Sequence, residues 1–387
     1  MLKNIMEEIY KDRIRKITRI VSVCLIIQLL ITYKLWVMAW RTVPAVPLFS
    51  FLPVNPGNTI DFFLLTLLFI FCFILVLLPS SRKLFLLIPL LFFVLILEDS
   101  SRLQPWVYLY SLMFLYLFFQ SQNNANVLFA WKIILSSVYI WSGIQKLNPH
   151  FASEMFPWLG DFTGAGKYFE RHHWFAYTVA SLESLAGIGL WIPKLRKFCC
   201  LIIFGLHLFI LISLGPLGHN WNHVVWPWNI AFAWLVFDLF FRNDLVEVKL
   251  SLKKMYVASL IFIAGIIPAL NLFGKTDHFL SAGYYSSVAS MAVFYFPQTE
   301  KDKLPLTTNP HLYFDQHAKL GILMMDNWAI EELNVPVYPE DRTHIDLAKK
   351  ICPCMEDQQG SGIRLLVKKR YSSEKTEIEI PCSVLLK

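Results

Sequence analysis

Long apolar runs recur through roughly the first 270 residues and constrain the fold more than any other feature of the sequence. The run "FFLLTLLFIFCFILVLLP" at residues 62–79 is typical, because it contains no charged side chain. About 20 apolar residues in a helix cross the hydrocarbon core of a bilayer, and a helix pairs its own backbone polar groups. The sequence therefore predicts an all-α polytopic membrane bundle.

About nine such spans are predicted. Charged residues make up only 16% of the chain, below the roughly 25% of soluble domains, which agrees with this class. The predicted spans lie near Ile20–Trp40, Ile60–Pro79, Leu84–Leu97, Trp106–Phe119, Val127–Leu147, His173–Pro193, Phe198–Leu214, Val224–Phe241 and Tyr256–Phe273.

The distribution of charge predicts which loops face the cytoplasm. Lys and Arg concentrate at the N-terminus and in the loops at 80–83, 194–197 and 241–254, whereas Trp and His concentrate in the loops between them. The positive-inside rule then places the N-terminus in the cytoplasm. The net charge of +7 reflects this topology and does not indicate a nucleic-acid-binding surface.

Three regions follow from this division. Residues 1–19 form a cytoplasmic amphipathic segment, residues 20–296 a transmembrane domain, and residues 297–387 a small extracytoplasmic α+β domain, because an odd number of spans places the C-terminus outside. In the last region, "YPEDRTHIDLAKKI" (338–351) predicts a helix, and "IRLLVKKRYSSEKTEIEI" (363–380) predicts a β-hairpin.

Three cysteines lie in the C-terminal region. An oxidising location favours a disulfide from Cys382 to either Cys352 or Cys354. A Cys-Pro-Cys redox pair or a metal site is a weaker alternative, because three thiols without a matching histidine spacing are a poor metal signature. No metal is predicted.

The stretch "YIWSGIQKLNPHF" (139–151) ends the fifth predicted span with a candidate functional lysine, Lys146. Its polar neighbours are Gln145, Asn148 and His150. A lysine at a helix end can extend its head group to water, which is one interpretation of this position. The other is a functional group at the lip of a site, behind a Ser-Gly pair that would let another backbone approach.

Two further polar segments are predicted on the same outer side. The segment "EDSSR" supplies Asp99 and Arg102. Arg102 either forms an ion pair with Asp99 or Glu98, or lies with them in the wall of a pocket. The segment "GHNWNH" supplies His219 and His223. Two histidines four residues apart can bind a metal on a helix, but proline and glycines predict a loop here, so we interpret them as pocket residues.

Glu183 and His207 lie deeper, near the middle of two consecutive spans. Placing a charged side chain at the centre of a bilayer costs at least about 2.5–3.5 kcal/mol on insertion scales. We expect these two side chains to face the bundle interior and to hydrogen-bond to each other, either as structural contacts or as a proton-relay or ligand-binding pair. Small residues around Glu183, among them Ser184 and Gly187, predict close helix packing.

Four segments in order carry a family resemblance: "YIWSGIQKLNPHF", "ERHHWF", "ESLAGIGLWIPKLRK" and "FGLHLFILISLG". Together they resemble the core of the vitamin K-dependent gamma-carboxylase and its bacterial relatives, which share the HTTM domain, and they overlap the DoxX-like membrane families. The resemblance covers roughly residues 100–241. In the carboxylase, a lysine of this element is thought to deprotonate a reduced quinone, and Lys146 is the residue that matches it.

The resemblance implies a quinone- or lipid-linked membrane enzyme. Lys146 would be its base, with Arg102, Glu183 and His207 in the pocket and a quinone as the bound molecule. The alternative is a non-catalytic, DoxX-like component of an exported redox or lipid-handling system, in which the C-terminal region binds a partner. A transporter is a third hypothesis, weaker because the sequence lacks paired broken helices in corresponding halves.

Overall fold

The computed structural model describes residues 2–52, 58–120, 123–242 and 255–387. Most of these residues are helical, and a small antiparallel sheet lies near the C-terminus, so the predicted predominantly helical class is confirmed. The predicted cytoplasmic loop at 241–254 lies outside the described residues from position 243 onward.

Nine α-helices of seven or more residues precede the sheet among the described residues. The last two are each extended by a π-helical turn, at Phe237–Phe241 and Phe262–Ile266, and the ninth then continues through Ile267–Asn271. The segments are α1 (Leu2–Ile31), α2 (Asn58–Leu77), α3 (Leu84–Glu98), α4 (Pro105–Phe119), α5 (Asn124–Gln145), α6 (Trp174–Gly189), α7 (Arg196–Leu214), α8 (Val225–Val236) and α9 (Met255–Ile261).

Three of these helices are long and apolar enough to cross a membrane: Thr59–Leu77 within α2, all of α5, and all of α7. Four shorter apolar helical segments have 10–17 residues, and α3 and α4 have 15 each. At 1.5 Å per residue, a helix of that length is about 22 Å long, against about 30 Å for the hydrocarbon core.

The first predicted span, Ile20–Trp40, and the first helix of the structure begin and end at different residues. The charged N-terminal segment and the apolar run form the single helix α1, which ends at Ile31. Two short helices, Tyr33–Trp36 and Met38–Trp40, follow it. Thr32 interrupts the helical path, and its hydroxyl accepts a hydrogen bond from the Trp36 indole (2.9 Å).

The chain divides into two compact units. The first consists of residues 1–30, 66–92 and 105–287, and the second of residues 31–65, 93–104 and 288–387. The second unit therefore combines the C-terminal sheet with two segments from the helical part of the sequence, which include the start of α2 and the end of α3.

Within the first unit, α5 and α6 pack so closely that their backbones touch. A Cβ atom at Gly143 would lie 2.5 Å from both the Ala180 carbonyl oxygen and the Ser184 nitrogen, and one at Gly187 would lie 2.9 Å from the Ile140 nitrogen. The Ser184 hydroxyl also donates to the Ile140 carbonyl (3.0 Å). Small residues thus allow the close approach, as the sequence predicted for this region.

The second unit contains a five-stranded antiparallel sheet in the order β2-β3-β1-β4-β5. The predicted hairpin is confirmed by β4 and β5, and the predicted helix by α11, which begins at Asp341. The elements are β1 (Met291–Pro297), β2 (Leu312–Asp315), β3 (Leu320–Met324), α10 (Met325–Leu333), α11 (Asp341–Ile351), β4 (Gly362–Lys368) and β5 (Lys375–Pro381).

Helix α10 binds the loop that follows the first helix of the chain, and both belong to the second unit. The Glu332 carboxylate accepts hydrogen bonds from the Thr42 nitrogen (2.6 Å), the Thr42 hydroxyl (2.7 Å) and the Val43 nitrogen (3.2 Å). The Asn334 amide donates to the Ile31 carbonyl (2.9 Å). These contacts hold the loop and the C-terminal helix together.

Candidate functional site

Lys146 follows the last residue of α5, and its side chain turns back along that helix. The Nζ atom donates to the Ser142 hydroxyl (2.7 Å) and to Glu183 Oε2 (2.7 Å). The side chains of Lys146 and Glu183 are each 13% exposed. The lysine therefore points into the first unit and forms an ion pair there, so extension toward water does not describe its conformation. We call these three residues the Lys146 cluster.

The close contact of α5 with α6 brings this pair together. Ser184, which touches Gly143, follows Glu183 directly on α6, and Lys146 lies three residues beyond Gly143 on α5. Residues three or four apart lie on the same side of a helix. The glycine contact therefore places the lysine and the carboxylate at the same level of the two helices.

The Lys146 cluster has unused hydrogen-bonding capacity. A lysine ammonium has three N–H donors, and two of them have acceptors among the described residues. Glu183 Oε1 has no hydrogen-bond partner in the described part of the chain. A donor and an acceptor at adjacent positions are thus free to meet a third molecule.

A second polar chain lies beside the cluster. The Asn229 amide nitrogen donates to the Val225 carbonyl (2.8 Å), so its oxygen faces His207 Nδ1 (2.7 Å). The His207 Nδ1 must therefore carry the proton, which leaves Nε2 of the neutral ring as an acceptor. The Tyr139 hydroxyl lies 2.8 Å from Nε2 and donates to it.

The predicted hydrogen bond between Glu183 and His207 is wrong. Lys146 binds Glu183 instead, and Tyr139 and Asn229 occupy both ring nitrogens of His207. The two residues are still neighbours, since Glu183 acts electrostatically on both His207 and Tyr139. Helix α5 supplies the partner of each residue, Lys146 for Glu183 and Tyr139 for His207.

The polar residues flanking Lys146 hold the backbone of a distant loop. The Gln145 amide donates to the carbonyl oxygens of Pro268 (3.2 Å) and Ser281 (3.4 Å). The Asn148 amide donates to the Ser286 carbonyl (2.9 Å). Gln145 and Asn148 therefore position this loop. His150 is buried, and its Nδ1 lies 3.2 Å from a Glu154 carboxylate oxygen.

Arg102 and Asp99 belong to the second unit, and their contacts lie within it. Asp99 accepts from Arg41 (2.6 Å) and from the Ser101 nitrogen (3.0 Å). The fully buried Arg102 guanidinium uses all five N–H donors at 3.0–3.1 Å. Its acceptors are the carbonyl oxygens of Leu35, Trp36 and Leu95 and the carboxylates of Asp61 and Glu98.

The two histidines of the "GHNWNH" segment make different contacts. His219 stacks on the Trp158 ring, with centroids 4.2 Å apart, and its Nε2 donates to the Trp158 carbonyl (2.7 Å). His223 packs against the Trp226 ring at 4.7 Å. Among the residues that the structure describes, no three His, Cys, Asp or Glu side chains are arranged to hold a metal ion.

The three cysteines of the C-terminal region have separate roles. Cys352 and Cys382 form a disulfide, and both are fully buried. Cys354 is an exposed free thiol two residues from Cys352. The structure thus selects one of the two pairings that the sequence allowed.

Sequence reasoning gave Ser142 only a packing role, as part of the Ser-Gly pair, and gave no role to Tyr139, although both are in the quoted stretch. Tyr139 lies seven residues before Lys146, which is two helical turns and hence the same face of α5. That spacing was a usable signal. Asn229 lies 22 residues from His207, and no sequence pattern connects them.

These features define a mostly helical protein with helices long and apolar enough for a membrane and a partly buried lysine–glutamate pair between two of them. No protein-family model, curated protein or solved structure matches the chain.

Proposed function

We propose that this chain is a polytopic membrane enzyme of the carboxylase-like HTTM class, in which Lys146 removes a proton from an uncharged, lipid-soluble substrate. The observation that carries the proposal is the Lys146 cluster, a 2.7 Å ion pair with a free donor and a free acceptor among the described residues. The resemblance of the quoted segments supports a reduced quinone as the substrate.

A lysine acts as a base only as the neutral amine, and Glu183 provides a route to that state. The proton on Nζ can pass across the 2.7 Å hydrogen bond to Glu183 Oε2, which converts two charges into two neutral groups. The amine lone pair is then available to a substrate hydroxyl.

The neighbouring chain of Tyr139, His207 and Asn229 keeps a polar environment beside the cluster. The Tyr139 hydroxyl donates to the unprotonated Nε2 of His207, and the Asn229 oxygen holds the proton on Nδ1. No hydrogen bond among the described residues joins this chain to Lys146 or Glu183, so the proton transfer is assigned to the cluster alone.

A reduced quinone fits the free groups of the cluster. Its phenolic hydroxyl is a weak acid that can donate to the lysine amine, and its ring is uncharged and soluble in lipid. The free Glu183 oxygen is a second hydrogen-bond acceptor for such a hydroxyl. When bound, the quinone would supply the acidic hydroxyl, and the chain would supply the base.

The helical segments support a membrane domain of nine spans with a cytoplasmic N-terminus. The three long helices, the four shorter apolar segments, α1 and α6 together number nine. Single cysteines placed at Lys83 and at Lys167 test the orientation with a membrane-impermeant maleimide. We expect labelling of the second position in intact cells and of the first only after the membrane is opened, and the reverse pattern would refute the orientation.

The base is tested by binding a naphthohydroquinone to the purified protein in nanodiscs without oxygen. An ionised hydroquinone absorbs at longer wavelength than the neutral form, so the spectrum reports deprotonation directly. We expect the ionised form with the wild-type protein and its loss in Lys146→Ala, while Lys194→Ala, which changes an exposed lysine, behaves as wild type. Equal ionisation in Lys146→Ala would exclude the lysine as base, and failure to bind would exclude the quinone.

A non-catalytic role in an exported redox system has one observation in its favour, the exposed Cys354 thiol beside the Cys352–Cys382 disulfide. An unpaired cysteine in an exported domain indicates pairing with another molecule or a reactive thiol. Cys354→Ser should then abolish mixed disulfides trapped in cells, while Lys146→Ala leaves them unchanged. If no Cys354-dependent mixed disulfide forms, this alternative fails.

A further inference from the structure

A loop of the second unit is joined at its base to the end of α3. The Leu48 nitrogen donates to the Leu97 carbonyl (3.2 Å) in the last turn of that helix. The Ser100 nitrogen, just beyond the helix, donates to the Val46 carbonyl (2.7 Å). We call residues 46–52 the Phe loop, and all of them belong to the second unit. The two hydrogen bonds fix the loop at the point where α3 ends.

The tip of the Phe loop exposes two aromatic rings. A hydrogen bond from the Leu52 nitrogen to the Phe49 carbonyl (3.0 Å) closes a turn there. The Phe49 and Phe51 rings stack, with centroids 5.6 Å apart and an angle of 12° between their planes. Phe49 is 49% exposed and Phe51 is 80% exposed. Large apolar groups exposed together indicate a surface that contacts a protein or a membrane.

Two helix ends of the same unit are also apolar on their outer sides. Phe62 and Phe63 at the start of α2, and Phe93 near the end of α3, are all exposed. The exposed Trp40 ring lies 6.0 Å from the Phe62 ring. Tryptophan is enriched where a membrane-spanning helix meets the lipid head groups. The apolar surface of the Phe loop therefore continues along α2 and α3, which are two of the proposed spans.

The carboxylates at these helix ends have arginine partners in the interior. Arg102 binds both Asp61 (3.1 Å) and Glu98 (3.0 Å), which joins the start of α2 to the end of α3. Asp99 binds Arg41 (2.6 Å), and the Arg41 side chain is buried. Asp61, Glu98 and Asp99 are the only ionisable residues in segments 42–52, 58–65 and 93–101. A charge beside hydrocarbon is costly unless it is paired, and the exposed side chains of these segments carry none.

The length of α3 gives a reason for an apolar loop at this end. Its 15 residues extend about 22 Å, whereas the hydrocarbon core is about 30 Å thick. A span that is shorter than the core is compensated by the residues at its ends or by thinning of the bilayer. The Phe loop adds apolar surface at the end of α3, where such compensation is needed.

We propose that the Phe loop inserts Phe49 and Phe51 among the acyl chains of the bilayer and so anchors the second unit to the membrane. Continuity with the exposed apolar ends of α2 and α3 favours acyl chains over a protein as the partner. The Phe loop lies between the first two predicted spans, so span prediction alone places it in water. The inference rests on the proposed membrane domain and does not depend on the reaction proposed for Lys146.

A fluorescent label on a single cysteine measures the depth of the loop. Ser50→Cys, in a Cys354→Ser background that removes an exposed thiol, places a bimane label between the two rings and keeps both of them. The full protein is reconstituted in phosphatidylcholine bilayers, with or without a phosphatidylcholine that carries a nitroxide near the glycerol end of one acyl chain. The nitroxide quenches a label in hydrocarbon, and iodide quenches a label in water. We expect most of the emission to be lost with the nitroxide lipid and little with iodide.

Two control labels separate this inference from the proposed membrane domain. Phe73→Cys lies on an exposed face of α2 within the candidate span, and Ser373→Cys lies in the exposed turn between β4 and β5. The nitroxide lipid should quench the label at position 73, and iodide the label at position 373. If the nitroxide lipid does not quench position 73, the membrane domain itself fails. If it quenches position 73 but not position 50, only the insertion of the Phe loop is overturned, whether iodide reaches position 50 or a protein covers it.

A double variant tests whether the two rings cause the insertion. In Phe49→Ser with Phe51→Ser, the label at position 50 should lose quenching by the nitroxide lipid and gain quenching by iodide. Leu306→Ser with Tyr313→Ser is the matched control, because it removes two exposed apolar side chains from another part of the second unit, and it should leave the label unchanged. Nitroxide quenching that survives the loss of both rings would overturn the proposal. The label in the unsubstituted loop gives a separate result if the double variant does not fold.

Discussion

The Arg102 and Lys146 side chains form two of the buried charged clusters of this protein, and the two clusters differ in how completely their hydrogen bonds are made. In the second unit, the Arg102 guanidinium is fully buried and all five of its donors have acceptors. In the first unit, the Lys146 ammonium is 13% exposed and has acceptors for two of its three protons among the described residues. We call Arg102 with its acceptors the Arg102 cluster.

The comparison teaches that burial of a charge does not by itself indicate a functional site. A charge whose hydrogen bonds are complete has nothing to offer a ligand, and its loss leaves several buried partners unsatisfied. A charge with an open donor next to an open acceptor can bind a third molecule at little cost to the fold. Arg102, for which the sequence allowed either an ion pair or a pocket wall, has the contacts of a structural residue and forms an ion pair with Glu98. Lys146 keeps the open hydrogen-bonding positions that our proposal for it requires.

The largest effect expected from this comparison is that of Arg102→Met. It would leave the Asp61 and Glu98 carboxylates and three backbone carbonyls without their donor. Removing one partner of a buried ion pair costs roughly 3–5 kcal/mol. We expect a large fall in the thermal unfolding midpoint in detergent, or no recovery of folded protein. Arg171→Met changes an exposed arginine and should be close to neutral, and similar midpoints for both variants would remove the distinction between the clusters.

The next largest effect concerns the packing that creates the Lys146 cluster. In Gly143→Ala the new methyl group would lie 2.5 Å from backbone atoms of α6, so the helices must separate. Overpacking of this kind costs about 1–3 kcal/mol. Gly205→Ala is the control, because its Cβ meets no atom within 4 Å. We expect lower thermal stability and loss of hydroquinone ionisation only in Gly143→Ala. If Gly205→Ala lost stability and ionisation while Gly143→Ala kept both, the role given to this contact would be refuted.

A smaller change in stability is expected for Glu183→Gln. The amide oxygen still accepts a hydrogen bond from Lys146, so the loss is roughly 1–2 kcal/mol. Function should change more than stability, because Lys146 must then release its proton to water rather than to Glu183. Hydroquinone ionisation should fall about tenfold at neutral pH and recover as the pH rises. A pH profile identical to wild type would show that the carboxylate takes no part.

The smallest effect concerns a third buried ionisable group, His344 of the C-terminal domain. Burial alone would lower the pKa of His344, but the Asp326 carboxylate, with Oδ1 3.5 Å from Nε2, outweighs burial, and the pKa is raised above its usual value. The folded state then binds the proton more tightly than the unfolded state. The protonated ring stabilises the domain below about pH 6.5, and this contribution is lost as the pH rises through the raised pKa.

Chemical denaturation of the full protein, followed by tryptophan fluorescence to which the buried Trp328 contributes, measures this dependence. His344→Gln should flatten the pH dependence of stability above about pH 6.5, whereas His317→Gln, which changes an exposed histidine, should leave it unchanged. A pH dependence that survives His344→Gln must come from another group. Such a result would mean that the protonation of His344 does not contribute to stability.

The sequence by itself determined the helical class, the positions of the apolar segments and the candidate lysine. Hydrophobicity is a property of each residue, so it can be read along the chain without knowing what packs against what. The same holds for the C-terminal hairpin and helix, whose periodicity and end residues are local. The Ser-Gly pair before Lys146 also indicated a close backbone contact.

The partners of the charged side chains were decided only by the tertiary structure. Helical periodicity predicts the face on which Glu183 lies, but the relative depth and rotation of two helices depend on where their surfaces interlock. Contact of Gly143 with Ser184 sets that register, and it pairs Glu183 with Lys146 instead of His207. Arg102 likewise binds acceptors from separate segments of the chain, and the disulfide joins residues 30 positions apart. Hydrogen bonds and disulfides require atoms within a few ångströms, and only packing brings distant residues that close.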